Sequence, residues 1–80
     1  MIKVNVRLFA TLRRHIPDYD PDQGVHVEMN EGSTVEDLIH SLHLSENEAR
    51  VIIVNGISKK IDDLINHGDQ VNIFTPIPGG

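Results

Sequence analysis

A two-layer α+β domain, with five strands in a mixed sheet and one main helix on one face, is the fold class this sequence predicts. Three observations carry it. Residues 2–9 alternate apolar and polar with period two, the mark of a half-buried strand. Val35, Leu38, Ile39 and Leu42 recur at i, i+3, i+4 and i+7, the apolar stripe of one amphipathic helix. The other apolar runs are too short for helices and are bounded by turn formers.

The first strand places Ile2, Val4, Val6 and Leu8 on one face and Lys3, Asn5, Arg7 and Phe9 on the other. Alternation breaks at residues 10–14, which can form about a turn and a half of helix before Pro17. Residues 17–24 are dense in turn formers. Val25, Val27 and Met29 then alternate with His26, Glu28 and Asn30, giving a second strand beside the first. Gly32 ends that strand, and Ser33 with Glu36 fits a capping box opening the helix. Ser45 with Glu48 is a second possible cap, for one short turn.

Val51-Ile52-Ile53-Val54 is a β-branched run expected to form a strand buried on both faces. Asn55-Gly56 is a two-residue hairpin signal, because both positions tolerate positive φ, and residues 57–59 supply a short edge partner. Ile61, Leu64 and Ile65 suit a single apolar turn stopped by His67-Gly68, and residues 70–75 form the last strand with Val71 and Ile73 inward.

Composition narrows the function. Eighty residues make one domain with a single small core. Seven Lys and Arg against twelve Asp and Glu leave a net charge of −5, which argues against a nucleic-acid partner, since phosphates need a positive footprint. No apolar run approaches the ~20 residues that span a bilayer, and Met1 leads directly into a strand pattern rather than a signal peptide. No membrane association and a cytoplasmic location are therefore expected. With no cysteine, a disulfide scaffold, a thiolate metal site and a thiol nucleophile are excluded.

Ordinary catalytic constellations are weak. His40 and His43 are three apart on the helix, but His40 points nearly opposite the apolar stripe and no third ligand follows at a metal-binding spacing, so a solvated face is expected and no metal. His15, His26 and His67 lie near turns and strand exteriors. Asp18, Asp20 and Asp22 imitate the start of a calcium loop, but the glycine falls one place late at Gly24 and Met29 stands where a bidentate glutamate is needed. The glycines are isolated turn glycines rather than a phosphate loop.

The carboxyl end stands apart. A pair of terminal glycines arises by chance in about 0.5% of chains at ~7% glycine usage. Pro76 and Pro78 cannot donate ladder hydrogen bonds and bias Thr75 and Ile77 to extended conformations. Six extended residues from Thr75 reach about 20 Å, and Gly79 and Gly80, lacking Cβ, can thread a channel closed to any other residue. The expected division is a domain over residues 1–75 and an extended tail over 76–80. Phe9 and Phe74 both have the parity opposite to the aliphatic face of their strands. Two rings on the uncovered side of the sheet, in a chain only 4% aromatic, suit a docking surface near that tail.

Residues 6–13 (Val-Arg-Leu-Phe-Ala-Thr-Leu-Arg), the helix start at 33–38, Val54-Asn55-Gly56, and Gly68-Asp69-Gln70-Val71 followed by residues 74–80 resemble the ubiquitin-like sulfur carriers. Within that group the chain is most similar to the small subunit of molybdopterin synthase. The resemblance runs over essentially the whole chain. It departs from the usual pattern at Thr75, where proline is common, at Pro78, where a small polar residue is common, and at Ser58, where an apolar contact is expected.

The resemblance implies a β-grasp fold, with the first and last strands side by side at the sheet centre and Phe9 near Phe74. It implies that Gly80 carries the reactive carboxylate, with Gly79 giving clearance. An E1-like adenylyltransferase using ATP would adenylate that carboxylate, and sulfur from a persulfide would convert it to a thiocarboxylate. It implies that Phe9, Phe74, Thr75, Pro76, Ile77 and Pro78 meet the partners, including the molybdopterin synthase large subunit. On this view the chain binds no cofactor of its own and is a protein substrate and subunit, not catalytic alone. Two alternatives stand beside it: a carrier for another sulfur acceptor such as the thiamin thiazole, and a ubiquitin-like modifier joined to proteins through Gly80.

Overall fold

The computed structural model describes residues 1–45 and 47–75, apart from the side chains of Ala10 and Thr11. Five strands and one α-helix follow in the expected order: β1 (Ile2–Leu8), β2 (Val25–Met29), α1 (Val35–Ser41), β3 (Val51–Val54), β4 (Ile57–Lys59) and β5 (Gln70–Phe74). A 3-10 helix, Ala10–His15, takes up the break after β1.

The sheet order is β2-β1-β5-β3-β4. β1 and β5 run parallel at its centre, with Leu8 opposite Ile73, and the other pairings are antiparallel. This is the strand arrangement of a β-grasp.

Alternation along β1 decides which face is covered. Ile2, Val4, Val6 and Leu8 are buried, joined on the same face by Ile52 and Val54 of β3 and Val71 and Ile73 of β5. Val35, Leu38, Ile39 and Leu42 all lie in this core, so the helical stripe is the lid of the second layer. Leu12, Leu44, Ala49 and Ile65 close its margins.

Three local expectations are corrected. Thr34, not Ser33, caps α1: its Oγ1 accepts from the Asp37 amide at 3.2 Å, and Asp37 Oδ2 accepts from the Thr34 amide at 2.9 Å. The Ser33 hydroxyl is already used, donating to the Asn30 carbonyl at 2.7 Å, which moves the box one residue on.

β3 is buried on one face only. Val51 is 41% exposed and Ile53 is half-buried, because a single helix covers a single face.

In the segment expected to form an apolar turn, Ile65 alone is buried, while Ile61 and Leu64 are exposed. Its backbone serves the helix instead. The Ile61 and Asp63 carbonyls accept the Glu36 and Val35 amides at 2.8 and 2.9 Å, satisfying donors that the first turn of a helix leaves open.

The Asn55-Gly56 turn has φ of 52° and 83°, as a two-residue hairpin requires. β5 ends at Phe74, one residue before the expected boundary. Among the described residues no helix is long and apolar enough to cross a membrane.

Candidate functional site

The uncovered face of the sheet grades from polar to apolar along the strands. At the polar end lie Asn5 and Gln70, opposite each other on the central pair. Next come Arg7 and Asn72, with Ile53 and Ser58 continuing the row across β3 and β4. At the apolar end stand Phe9, Phe74 and Val51, the last two directly opposite in the β3–β5 register.

Phe9 follows Leu8, the partner of Ile73, so the parallel register delivers the next residue of each strand to neighbouring positions on the uncovered face. The backbone amide of Phe9 donates to the Ile73 carbonyl at 3.2 Å. The two rings stack with centroids 4.3 Å apart and planes 12° from parallel, a contact worth about 0.5–1.5 kcal/mol beyond the area it buries. Both residues are half-buried, each ring covering one face of the other. The structure thus brings Phe9 and Phe74 together, as their shared off-face parity and the family resemblance led us to expect. Thr75, also half-buried, follows directly. Pro76, Ile77, Pro78, Gly79 and Gly80 lie outside the described residues.

The loop over residues 17–24 runs along the outer edge of β1, held by three β1 residues. Asn5 Nδ2 donates to the Gln23 carbonyl at 2.9 Å, Arg7 donates to the Asp22 carbonyl at 2.9 Å, and the Leu8 amide donates to the Tyr19 hydroxyl at 2.7 Å. Asp20 Oδ1 accepts the amides of Asp22 and Gln23, so this acidic carboxylate shapes a turn. Sequence reasoning missed Val51, opposite Phe74, and Tyr19, bonded to the Leu8 backbone. The off-face parity of Val51 marks it once one helix is set against one sheet. Tyr19, inside a run of turn formers, carries no local signal.

The histidines take structural positions. His43 has left the helix with φ of 59°, and its amide donates to the His40 carbonyl at 3.0 Å, so the two rings no longer share a helical face. His15 meets Glu48 at 2.6 Å, and His67 Nδ1 accepts the Lys3 amide at 3.0 Å. Among the described residues no three histidine or acidic side chains converge as a metal site would need.

Solved structures share this architecture over nearly the whole chain. The putative molybdopterin converting factor subunit 1 of Pyrococcus furiosus is 27% identical, with 96% of this chain and 100% of that one covered, at a TM-score of 0.75. Small archaeal modifier protein 1 of Haloferax volcanii is 18% identical over 96% of this chain and 100% of its own, at a TM-score of 0.75. The HVO 2177 protein of Haloferax volcanii is 21% identical over 99% of this chain and 87% of its own, at a TM-score of 0.76. At these identities the two Haloferax proteins speak for the fold alone. No protein of curated function matches the chain. The Mut7-C ubiquitin family profile matches residues 1–77, and in keeping with its ubiquitin-like β-grasp sheet the chain belongs to that family.

Proposed function

We propose that the chain is a sulfur carrier whose Gly80 carboxylate is adenylated and then converted to a thiocarboxylate, serving as the small subunit of a molybdopterin synthase. The observation that carries this reading is the stacked Phe9–Phe74 pair on the uncovered end of the sheet, where β5 ends and the sequence runs on to Gly79-Gly80. The likeness to the Pyrococcus molybdopterin converting factor subunit, at 27% identity over its full length, supports the choice of pathway.

The chemistry needs activation because a free carboxylate is a poor electrophile. The Gly80 carboxylate attacks the α-phosphorus of ATP and releases pyrophosphate, leaving an acyl adenylate. A persulfide on a donor protein attacks the acyl carbon and expels AMP, forming an acyl disulfide. A thiol then cleaves that disulfide, leaving the thiocarboxylate on the carrier and a disulfide on the donor. ATP and the catalytic groups belong to an E1-like partner; the carrier supplies a docking surface and a slim terminus. A large synthase subunit would receive the loaded tail through residues 74–78.

The match to a ubiquitin family profile supports a second reading, in which the same acyl adenylate passes to a protein lysine. A thiazole-forming acceptor would use the thiocarboxylate unchanged. One experiment separates these outcomes: intact mass of the chain after incubation with ATP in lysate of its source. Replacement of one oxygen by sulfur, absent when Gly80 is deleted, is the expected result. Lysine-linked adducts without that replacement would shift the assignment to a modifier. A chain unchanged by lysate that demonstrably charges another carrier would overturn both.

A further inference from the structure

β2 begins at Val25 opposite Val6, so it stops short of Leu8. The alternating hydrogen bonds of β1 direct Asn5 and Phe9 to the β5 side, where their amides meet the Asp69 and Ile73 carbonyls. The amide and carbonyl of Leu8 therefore face the opposite edge, beyond the last β2 pairing. Backbone groups at such a position need a partner, and one side chain supplies both halves. The Tyr19 hydroxyl accepts from the Leu8 amide at 2.7 Å and donates to the Leu8 carbonyl at 3.2 Å. A phenol has one proton to give, so its donor is fully committed. Arg13 Nε donates to the same carbonyl at 3.2 Å, with its guanidinium carbon 5.9 Å from the centroid of the Tyr19 ring.

We infer that Tyr19 is a positioning residue for the Phe9–Phe74 pair, acting through the backbone of Leu8. This deepens the proposed function and rests on the reading of that pair as the docking surface. Tyr19 holds Leu8 from the outer edge, and Ile73 holds the Phe9 amide from the inner one. Tyr19 and Ile73 thus grip the 8–9 peptide from both sides. The Leu12 amide, donating to the Phe9 carbonyl at 3.3 Å, holds the 9–10 peptide. Fixing the two peptides that flank Phe9 fixes where its side chain points, and hence whether its ring lies flat on Phe74. The Leu8 side chain is fully buried and keeps its place without Tyr19. Water can take over the freed edge groups, so the consequence of losing the hydroxyl falls on ring alignment rather than on the core.

The test uses the full chain with Tyr19→Phe, Phe9→Ala, Phe74→Ala and the double variant Tyr19→Phe/Phe9→Ala. In NMR spectra of the free chain, Tyr19→Phe is expected to reduce the ring-current shifts of the Phe9 and Phe74 ring protons. The Leu8 amide should exchange at least about tenfold faster, while the methyl shifts of Leu38 and Ile39 stay in place. Unchanged ring shifts would overturn the positioning role whatever the chain binds.

The second readout is ATP–pyrophosphate exchange by an E1-like adenylating enzyme, with the carrier as varied substrate. Tyr19→Phe should raise KM about three- to tenfold, the scale of one net hydrogen bond, and leave kcat unchanged. It should add nothing in the Phe9→Ala background, whereas a merely structural residue would contribute additively. Raised KM for both phenylalanine variants with wild-type KM for Tyr19→Phe would overturn the inference and leave the docking surface standing. Wild-type KM for the phenylalanine variants would instead remove the docking surface, and the NMR result would judge Tyr19 alone.

Discussion

The side-chain amide of Asn55 donates to Oδ1 of the buried Asp69 at 2.9 Å, tying the β3–β4 turn to the foot of β5. Asn55 Oδ1 accepts the Gln70 amide at 2.9 Å, and the second oxygen of Asp69 accepts the Asn66 amide at 2.8 Å. Every polar atom of this small network has a partner, which makes it sensitive to single-atom changes. Asn55→Asp keeps the acceptor for Gln70 but loses the donor and faces Asp69 with a second carboxylate. A loss of about 1–3 kcal/mol is expected, read by urea unfolding at neutral pH. A loss below about 0.5 kcal/mol would show that the turn is held by its backbone alone.

Two glycines with positive φ provide an internal comparison. Gly56 has φ of 83° and open space where a Cβ would stand. Gly24 has φ of 73°, and a Cβ there would lie 2.5 Å from the Val6 carbonyl oxygen. Gly56→Ala carries only the left-handed backbone cost of about 1–2 kcal/mol. Gly24→Ala adds a collision with β1 and should melt well below Gly56→Ala in parallel thermal scans. Equal melting temperatures would mean that the 17–24 loop moves away at no cost.

Phe74→Ala is expected to separate binding from folding. The ring is half-buried on the uncovered face, so its removal should cost well under the ~3–5 kcal/mol of a core phenylalanine. Affinity for an E1-like partner should fall by about 2 kcal/mol or more, the range of an aromatic anchor in an interface. Calorimetry of both processes on one preparation tests this. A core-sized stability loss would place the ring in the hydrophobic core instead.

Deleting Gly80 should abolish charging and leave the melting temperature within about a degree of the intact chain, since no core residue changes and each kcal/mol moves a small domain by ~4–8 °C. Charging at the normal rate by the deleted chain would refute the chemistry proposed for that residue.

Much of this was legible from sequence, and the exceptions have a common cause. β1 and α1 declare themselves because each exposes one face, so periodicity encodes direction. Phe9 and Phe74 were legible for the same reason, each breaking the parity of its strand. β3 was misread because Val51-Ile52-Ile53-Val54 has no alternation to show that its outer face is open. The helix cap slipped by one residue because Ser33 and Thr34 are equally suited, and a contact with Asn30, outside the helix, decided between them. Tyr19 was invisible because its partner, Leu8, is 11 residues away on a strand edge that exists only once β2 has ended. Of the proposed partner-contact residues after Phe74, Thr75 alone falls within the described structure.

The central place of β5 gives the end of the chain a further meaning. Among the described residues, β5 is the only strand paired with both β1 and β3. Without it the sheet falls into two hairpins, β1–β2 and β3–β4, with no ladder between them. Residues near position 5 must wait for residues near position 70, a closure that local structure cannot replace. β5 is therefore the keystone of the sheet. A chain stopped before position 70 lacks the strand that joins the two halves, so the β-grasp can close only after β5 has been made.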